Sequence, residues 1–234
     1  LMRLDPARIH VIPNGVDLER FSPQRRLSGA AVREKYGIAP DAVVVGFVGR
    51  MTRDKGIEEL AEAFRALSAE FPKAVLLLVG DYEDRDRPVD STVGFLSTCP
   101  DVRHVGWQTD VVPFMAAMDV FALPTYREGL GNVLLEAAAM EIPTVTTDAT
   151  GARDASVDGK TGLQVPIGDV NSLREALARL IRDASLREAM GFAGRKWVCE
   201  HFDQRDVWRR YVEEYRALVS GGTAPIRRRH RSRT

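Results

Sequence analysis

The sequence has few of the features that mark secreted, disulfide-rich or membrane-spanning proteins. It has only two cysteines, Cys99 and Cys199, which lie far apart and lack metal-ligand spacing, and a disulfide framework would need more of them. No apolar run is long enough to cross a bilayer, and the first residues, LMRLDPARIH, show no cleavable secretory pattern. We therefore expect a soluble protein of the reducing cytoplasm.

The chain also lacks an excess of charge of either sign. It has 33 basic and 33 acidic residues, and its four histidines show no paired spacing for zinc. Five of the basic residues are arginines in the tail RRRHRSRT at 227–234, so 28 remain in the body, which shows no basic face typical of nucleic-acid binding. After the GGTAP linker at 221–225 we expect this tail to be disordered, serving either as a solubilising end or as a contact with an anionic membrane at its inner face.

What the sequence does contain is a regular alternation of strand and helix patterns. Its 234 residues, 44% of them apolar, are enough to bury one full core. The alternation predicts an α/β fold, a Rossmann-like doubly wound parallel sheet. Predicted strands lie at 43–48, 75–79, 102–105, 119–123, 143–147 and 162–165, and predicted helices at about 56–70, 110–117, 131–140, 170–183, 185–200 and 204–219.

Residues 128–136, EGLGNVLLE, join a buried-strand pattern to a helical one. A helix that opens near Gly131 would leave the backbone N–H groups of Leu130, Gly131 and Asn132 free to bind an anion such as phosphate. Glu136, inside the helix, would accept hydrogen bonds from a vicinal diol such as a ribose. The alternative is that the two glutamates of this motif are ordinary acidic residues at a helix start.

A second motif, VVVGFVGRMTRDKG at 43–56, places cations at the end of a strand. Its apolar run stops at Gly49, and Arg50 and Lys55 flank a short turn before a helix. Because ligands of open parallel sheets sit beyond the carboxyl ends of the strands, both cations can converge with the amides of 130–132 on one pyrophosphate. Taken alone, such a pair of cations is more typical of a solvated turn.

These motifs resemble the C-terminal, donor-binding half of a retaining GT-B glycosyltransferase of family 4. The resemblance rests on the GR and KG dipeptides of 49–56 and on EGLGNVLLEA, followed by IPTVTTDATGARD and DGKTGLQVP. It runs from about His10 to Leu218. The closest match in character is to bacterial enzymes that build capsular, exopolysaccharide or lipid-linked oligosaccharide chains of the cell envelope.

The resemblance implies a domain organisation. Residues 1–25 would be an interdomain segment, 26–200 the nucleotide-sugar-binding Rossmann-like domain, and 201–220 a C-terminal helix that packs on an N-terminal domain absent from this chain. The motif VIPNGVDLERFSP at 11–23 is where such enzymes enter their second domain. An acceptor-binding domain should therefore precede it, and the chain alone should bind more readily than it catalyses.

The resemblance also implies a reaction, the transfer of a sugar from a nucleoside-diphosphate sugar to a glycan or lipid-linked acceptor with retention of configuration. Glu128 would act on the sugar and Arg50 and Lys55 on the diphosphate, so that neither a metal nor a cofactor is expected. A noncatalytic nucleotide-sugar-binding module and a nucleotide-sugar epimerase remain as alternatives. The predicted substrate-binding residues are Glu136, Gly49, Leu130, Gly131, Asn132, Gly106 and Trp107.

Three further features have competing interpretations. Asp84 and Asp86 form a D-x-D pair, which holds a metal in glycosyltransferases of a different fold but is expected to be a solvated loop here. His104 precedes the predicted base-binding residues, yet a structural role at a strand end is favoured. Lys160 and Thr161 lack the preceding glycines of a phosphate-binding loop, so a turn explains them.

The sequence departs from the family pattern at two positions. Glu141 stands where the family usually has glycine, and the charged side chain must reach solvent at a helix end. Asp154 stands where glutamate is common, which shortens a carboxylate near the diphosphate loop. Neither departure changes the predicted catalytic residues.

Overall fold

The computed structural model describes residues 9–220, and its centre is a six-stranded sheet in which every pair of neighbouring strands is parallel. The strand order is β3-β2-β1-β4-β5-β6, so the chain reverses its direction of winding between β1 and β4. This is the topological switch point at which open α/β sheets bind ligands. The strands are β1 (Val43–Val48), β2 (Ala74–Val79), β3 (Val102–His104), β4 (Val120–Leu123), β5 (Thr144–Thr147) and β6 (Gly162–Val165).

Eight α-helices accompany the sheet within the described residues, and none of them is long and apolar enough to cross a membrane. Short 3₁₀ turns lie at Pro23–Ser28, Arg53–Lys55, Asp84–Asp86 and Arg153–Ala155. The helices are α1 (Gly29–Lys35), α2 (Ile57–Glu70), α3 (Asp90–Thr98), α4 (Val112–Ala116), α5 (Asn132–Ala139), α6 (Val170–Arg182), α7 (Ala184–His201) and α8 (Gln204–Val219).

The core follows from the apolar pattern of the sequence. All six residues of β2, AVLLLV, are buried, as a strand covered by helices on both faces requires. Helix α2 turns Leu60, Phe64 and Leu67 inward, three fully buried side chains at helical spacing. Asp169 is the N-cap of helix α6, and its carboxylate accepts the Ser172 N–H at 3.0 Å.

Glycines bring the ends of the first three strands close together. Gly80 has φ 134°, and a Cβ on it would lie 1.9 Å from the Gly49 carbonyl oxygen. The Gly80 N–H donates to the Gly106 carbonyl at 2.9 Å. The predicted site residues Gly49 and Gly106 therefore flank Gly80, and only a residue without a side chain fits between them.

The predicted fold class and all six strands are confirmed, but the prediction missed two helices. Helix α1 has only seven residues. Helix α3 has the sequence DSTVGFLST, rich in residues of low helix propensity, so no helix was predicted there. Strand and helix boundaries shift by one or two residues, most at α4, where Val112–Ala116 replaces the predicted 110–117.

The described part of the predicted interdomain segment is joined to the beginning of α8. Val16 donates its N–H to the Phe202 carbonyl at 2.7 Å and accepts the Gln204 N–H at 3.1 Å. A Cβ on Gly15 would lie 2.4 Å from the Gln204 Cα, so the two segments touch through their backbones. Residues 1–8 and the basic tail at 221–234 lie outside the described residues, and the expectations for them are not tested.

Glu141 adopts a left-handed conformation, which makes it unusual among the described residues. Its φ is 60°, and no other residue with a side chain has a positive φ between residues 9 and 220. Its carbonyl oxygen lies against α7, where a Cβ on Gly191 would approach it to 2.2 Å. The left-handed backbone explains why glycine is usual at this position in the family that the sequence resembles.

We expect Glu141→Gly to increase the free energy of unfolding by about 1 kcal/mol, because the left-handed conformation costs a residue with a Cβ roughly that much. Urea denaturation of the chain would measure the change. Glu141→Ala is the matched control, since it removes the same carboxylate but keeps the Cβ. Equal stability of the two variants would show that the charge, rather than the backbone strain, limits stability here.

Candidate functional site

Two predicted catalytic residues meet beyond the carboxyl ends of β1 and β4. The Lys55 Nζ donates to the Glu128 Oε1 at 2.6 Å, and each side chain is only 16% exposed. Lys55 ends the 3₁₀ turn that follows β1, and Glu128 lies in the loop between β4 and α5. Residues 73 positions apart in the sequence thus form a charge-assisted contact at the topological switch point.

Close backbone contacts hold these two loops in place. Gly56 has φ 71°, and a Cβ there would lie 1.9 Å from the Pro124 carbonyl oxygen at the end of β4. Gly151 has φ 81°, and a Cβ there would lie 2.2 Å from the Glu128 carbonyl oxygen. The Glu128 N–H donates to the Thr150 carbonyl at 3.0 Å. The position of the Lys55–Glu128 pair therefore depends on glycine at 56 and 151.

Asp54, which no sequence motif indicated, lies in the loop of Lys55 and forms hydrogen bonds both within that loop and to the loop of Glu128. Its carbonyl accepts the Tyr126 N–H at 2.9 Å and the Thr125 hydroxyl at 3.1 Å. Its carboxylate accepts the Thr52 hydroxyl at 2.6 Å. Burial raises the pKa of Asp54, but that hydrogen bond and three cations outweigh burial and hold the pKa below its ordinary value. The three cations are Lys55, Arg50 and Arg127.

Tyr126 ties the loop that carries Glu128 to helix α2. Its hydroxyl donates to the Glu59 Oε1 on helix α2 at 2.5 Å. This hydrogen bond raises the pKa of Tyr126 to about 12, so the phenol remains a donor at neutral pH. The other carboxylate oxygen of Glu59 is buried without a hydrogen-bond partner among the described residues.

Arg50 lies at the solvent-exposed side of the site. Its side chain is 58% exposed and forms an ion pair with Glu83, which is 40% exposed. Arg50 also acts electrostatically on the Asp54 carboxylate. An exposed ion pair of this kind contributes little to stability, so Arg50 can exchange Glu83 for another anion at small cost.

The start of α5 has the geometry that the EGLGNVLLE motif predicts. Gly131 is the N-cap, with φ 66° and ψ 53°, and its carbonyl accepts the Leu134 N–H at 2.9 Å. The N–H groups of Leu130, Gly131 and Asn132 donate to no protein acceptor within residues 9–220. A Cβ on Gly131 would lie 3.7 Å from the Glu128 Cγ, so these free donors adjoin the Lys55–Glu128 pair.

Glu136 lies farther along α5, half-buried, and its carboxylate has no hydrogen-bond partner among the described residues. Burial raises its pKa, and the nearby charge of Arg20 partly offsets the effect. Arg20 itself pairs with Asp110 at 3.1 Å. Asn132 also faces the interdomain segment, since its side-chain oxygen accepts the Asn14 amide at 3.2 Å. The structure places Glu136 beside Arg20 and records no contact between it and the Lys55–Glu128 pair.

Gly106 and Trp107 follow β3 at the same edge of the sheet. Trp107 is 69% exposed, and its backbone N–H donates to the Asp81 Oδ2 at 3.2 Å. Gly106 has φ 71°. The His104 Nε2 lies 2.7 Å from the Gly80 carbonyl oxygen, which gives this histidine the structural contact expected at a strand end.

The other motif residues are either hydrogen-bonded within the fold or exposed to solvent. The Asp86 carboxylate accepts the Asp54 N–H at 2.8 Å, whereas Asp84 is exposed. Thr161 is buried and accepts the Val157 N–H at 2.8 Å, consistent with a turn before β6. Asp154 is exposed in the 3₁₀ turn near Gly151. Within the described part of the chain, no group of three or more histidine, cysteine or acidic side chains is arranged to hold a metal ion.

A cavity of about 780 Å³ lies at the opposite, amino edge of the sheet and contains none of the predicted site residues. Arg33 and Asp119 line it and pair with each other at 2.8 Å. The same Asp119 carboxylate accepts the Val44 N–H at 2.7 Å, so its charge is used to hold the start of β1. The charged groups of Arg33 and Asp119 in this cavity are therefore paired within the fold. The carboxyl edge of the sheet remains the candidate site.

Known proteins are similar to most of this chain. The profile of the family described as glycosyl transferases group 1 matches residues 42–183, which include every predicted site residue. The capsular polysaccharide biosynthesis glycosyltransferase CapM of Staphylococcus aureus is 37% identical over 207 residues, which are 88% of this chain and 53% of that protein.

Two other similar proteins are named together with a nucleotide sugar. A GDP-mannose-dependent alpha-(1-6)-phosphatidylinositol monomannoside mannosyltransferase of Mycolicibacterium smegmatis is 34% identical, covering 92% of this chain and 57% of that protein. The crystal structure of Anabaena Alr3699/HepE in complex with UDP-glucose matches with a TM-score of 0.79 and 25% identity, covering 89% of this chain and 57% of that chain. This chain spans about half the length of the curated relatives it matches.

Proposed function

This chain belongs to the group 1 glycosyl transferases and has the fold of the C-terminal half of a GT-B enzyme, and we propose that it is the donor-binding half of a retaining hexosyltransferase. The donor is a nucleoside-diphosphate sugar, and the acceptor is a glycan or lipid-linked glycan of the cell envelope. The relatives support this proposal, since one is named for capsular polysaccharide synthesis and another as a GDP-mannose-dependent enzyme.

The observation that carries the proposal is the meeting of Lys55, Glu128 and the free amides at the start of α5. A cation, a carboxylate and unpaired N–H groups within one small volume suit a sugar attached to a phosphate. In the proposed complex the amides of 130–132 bind the distal phosphate, and Lys55 and Arg50 bind the diphosphate. Glu128 then contacts hydroxyl groups of the sugar.

The remaining predicted residues bind the nucleoside in this proposal. Glu136 accepts hydrogen bonds from the ribose hydroxyls, for which its carboxylate oxygens have no competing hydrogen bond among the described residues. Gly49 and Gly106 let the ligand approach the backbone. The exposed Trp107 lies at the strand end where the base would bind.

In the proposed reaction, the bond between the anomeric carbon and the phosphate oxygen breaks, and its electron pair stays on the diphosphate. The cations and amides strengthen their interaction as this negative charge develops, which lowers the barrier. The acceptor hydroxyl attacks from the face of the leaving group, so configuration is retained. Its proton passes to a phosphate oxygen. Glu128 stabilises the oxocarbenium-like sugar without forming a bond to it.

Nucleoside-diphosphate binding without a divalent metal tests the proposal. We expect UDP or GDP to bind this chain in the presence of EDTA, because Lys55, Arg50 and the amides supply the positive charge that a metal supplies elsewhere. Isothermal titration calorimetry with each nucleotide would measure the affinity. Binding that disappears in EDTA and returns with manganese would contradict the proposal and assign a ligand role to Asp84 and Asp86.

Helix α8 supports the proposed partnership with an N-terminal acceptor-binding domain. Its large side chains remain uncovered, with Trp208 60%, Tyr215 66% and Leu218 72% exposed. Only Val207 of this helix is buried. An apolar helix face of this kind is typical of a surface that packs against a partner.

We expect the chain on its own to self-associate through α8 and to transfer no sugar above background. Static light scattering should show a mass that rises with concentration, and Trp208→Ser combined with Tyr215→Ser should suppress the rise. Phe192→Ser on α7 is the matched control, because this side chain is 67% exposed but lies on another helix. A wild-type chain that stays monomeric and transfers sugar efficiently would contradict the two-domain proposal.

A further inference from the structure

The segment from Tyr82 to Val89, between β2 and α3, runs alongside the loop that carries Lys55. Tyr82 pairs with Met51 in an isolated parallel bridge. At the other end the Val89 N–H donates to the Glu58 Oε1 at 2.7 Å. The segment also includes Glu83, the ion-pair partner of Arg50, so it contacts the proposed diphosphate-binding loop along its length.

The two aspartates of the D-x-D pair have different surroundings within this segment. Asp84 is exposed, and its carboxylate has no hydrogen bond or ion pair among the described residues. Asp86 is half-buried, and its Oδ2 accepts the N–H of Asp54 at 2.8 Å. A metal site would need both carboxylates as ligands. In the structure, the Asp86 carboxylate instead accepts a hydrogen bond from the backbone of Asp54, the residue before Lys55.

We propose that Asp86 is a positioning residue of the donor site, which fixes the backbone N–H of Asp54, the residue before Lys55, so that the ammonium group of Lys55 meets the diphosphate. This inference rests on the proposed function. The second aspartate of the D-x-D pair then binds a backbone N–H of the loop that carries Lys55, and it is not a metal ligand.

The bonds of Asp54 explain how Asp86 acts on Lys55. The Asp54 N–H is held by Asp86, and the Asp54 carbonyl is held by Tyr126 and Thr125. Hydrogen bonds through both its N–H and its carbonyl fix the residue that precedes Lys55. The bond that the N–H donates to the Asp86 carboxylate is of the stronger, charge-assisted kind. Without it, Lys55 loses part of its fixed geometry, which costs affinity for a ligand that the lysine must meet at close range.

Three variants of the chain separate this role from metal binding. In EDTA, we expect Asp86→Ala to bind UDP or GDP about fivefold to twentyfold more weakly. This loss lies toward the low end of that for a direct hydrogen bond to a charged ligand, because Asp86 acts on the ligand through the backbone before Lys55. Asp86→Asn should restore most of the affinity, because the amide oxygen still accepts the Asp54 N–H. Asp84→Ala is the matched control and should bind like the wild type.

Two further measurements distinguish positioning from a general loss of stability. Calorimetry with UMP and GMP should show a smaller loss in Asp86→Ala, because the effect concerns the charges of the diphosphate. Hydrogen exchange at the Asp54 amide should be about tenfold faster in Asp86→Ala and unchanged in Asp84→Ala, since Asp86 is the acceptor of this N–H among residues 9–220.

The outcomes separate the inference from the proposed function. Equal diphosphate affinity of the wild type and Asp86→Ala would overturn the inference alone. If manganese tightened binding by the wild type and both Asp84→Ala and Asp86→Ala lost that gain, the two aspartates would form a metal site and the inference would be overturned. A wild-type chain that binds neither UDP nor GDP would overturn the proposed function, and unchanged exchange at Asp54 would overturn the positioning role without reference to any nucleotide.

Discussion

Lys55→Met should weaken nucleoside-diphosphate binding roughly tenfold to a hundredfold. The substitution keeps a side chain of similar length but removes the only charge that contacts Glu128 in the described structure. Hydrogen bonds to charged groups contribute about 1.5–3 kcal/mol, and each 1.4 kcal/mol corresponds to a tenfold change in affinity. Titration of the purified chain with UDP and GDP would measure the effect.

Two controls isolate the role of the Lys55 charge. Lys73→Met removes an exposed lysine that pairs with Asp41 away from the site, and it should leave binding unchanged. Lys55→Met combined with Glu128→Gln removes the unpaired carboxylate that the single substitution leaves partly buried. If the double variant bound as tightly as the wild type, repulsion by Glu128 would explain the loss and Lys55 would not be a phosphate ligand.

Glu128→Ala should lower the rate of sugar transfer by about a hundredfold or more while leaving nucleoside-diphosphate affinity nearly unchanged. Electrostatic groups that stabilise developing charge typically have effects of roughly this size on kcat. Affinity should not fall, because removal of the carboxylate frees Lys55 from its 2.6 Å contact and leaves it available to phosphate.

Glu136→Ala should have the opposite effect. We expect it to lower nucleotide affinity by about tenfold, because the contacts with the ribose are lost.

Transfer must be measured with the chain joined to an acceptor-binding domain, and affinity can be measured on the chain itself. Glu128→Gln serves as the conservative variant, because it keeps the shape and removes only the charge. Loss of nucleotide affinity in Glu128→Ala with normal affinity in Glu136→Ala would require the two roles to be exchanged.

The fold was accessible from the sequence because its signals are local. Continuous apolar runs such as VLLLV at 75–79 predict strands covered on both faces, and the strand–glycine–helix pattern around Gly131 predicts a helix that opens with free amides. Helix α3 was missed for the same reason, because Gly94 and its neighbouring serines and threonines give a weak local signal. Packing of Leu96 against the core supplies what local propensity does not.

The supporting contacts of the site were not accessible in this way. Asp54 and Asp86 are 32 positions apart, and their hydrogen bond depends on how the 82–89 segment lies against its neighbour. The Arg50–Glu83 ion pair also depends on how this segment packs. Acidic residues in polar loops are common, so the sequence alone gave no reason to select Asp54, or to separate the role of Asp86 from that of Asp84.

The two loop glycines, Gly56 and Gly151, restrict how this site can change during evolution. At both positions a carbonyl oxygen occupies the space of a Cβ, at 1.9 Å and 2.2 Å, so every substitution displaces backbone. Gly159, by contrast, has open space around its Cβ position, although its φ of 68° still favours glycine. A substitution at 56 or 151 would have to move these carbonyl groups and, with them, the loops that carry Lys55 and Glu128. We therefore expect new substrate specificities to arise from side-chain changes on this loop scaffold.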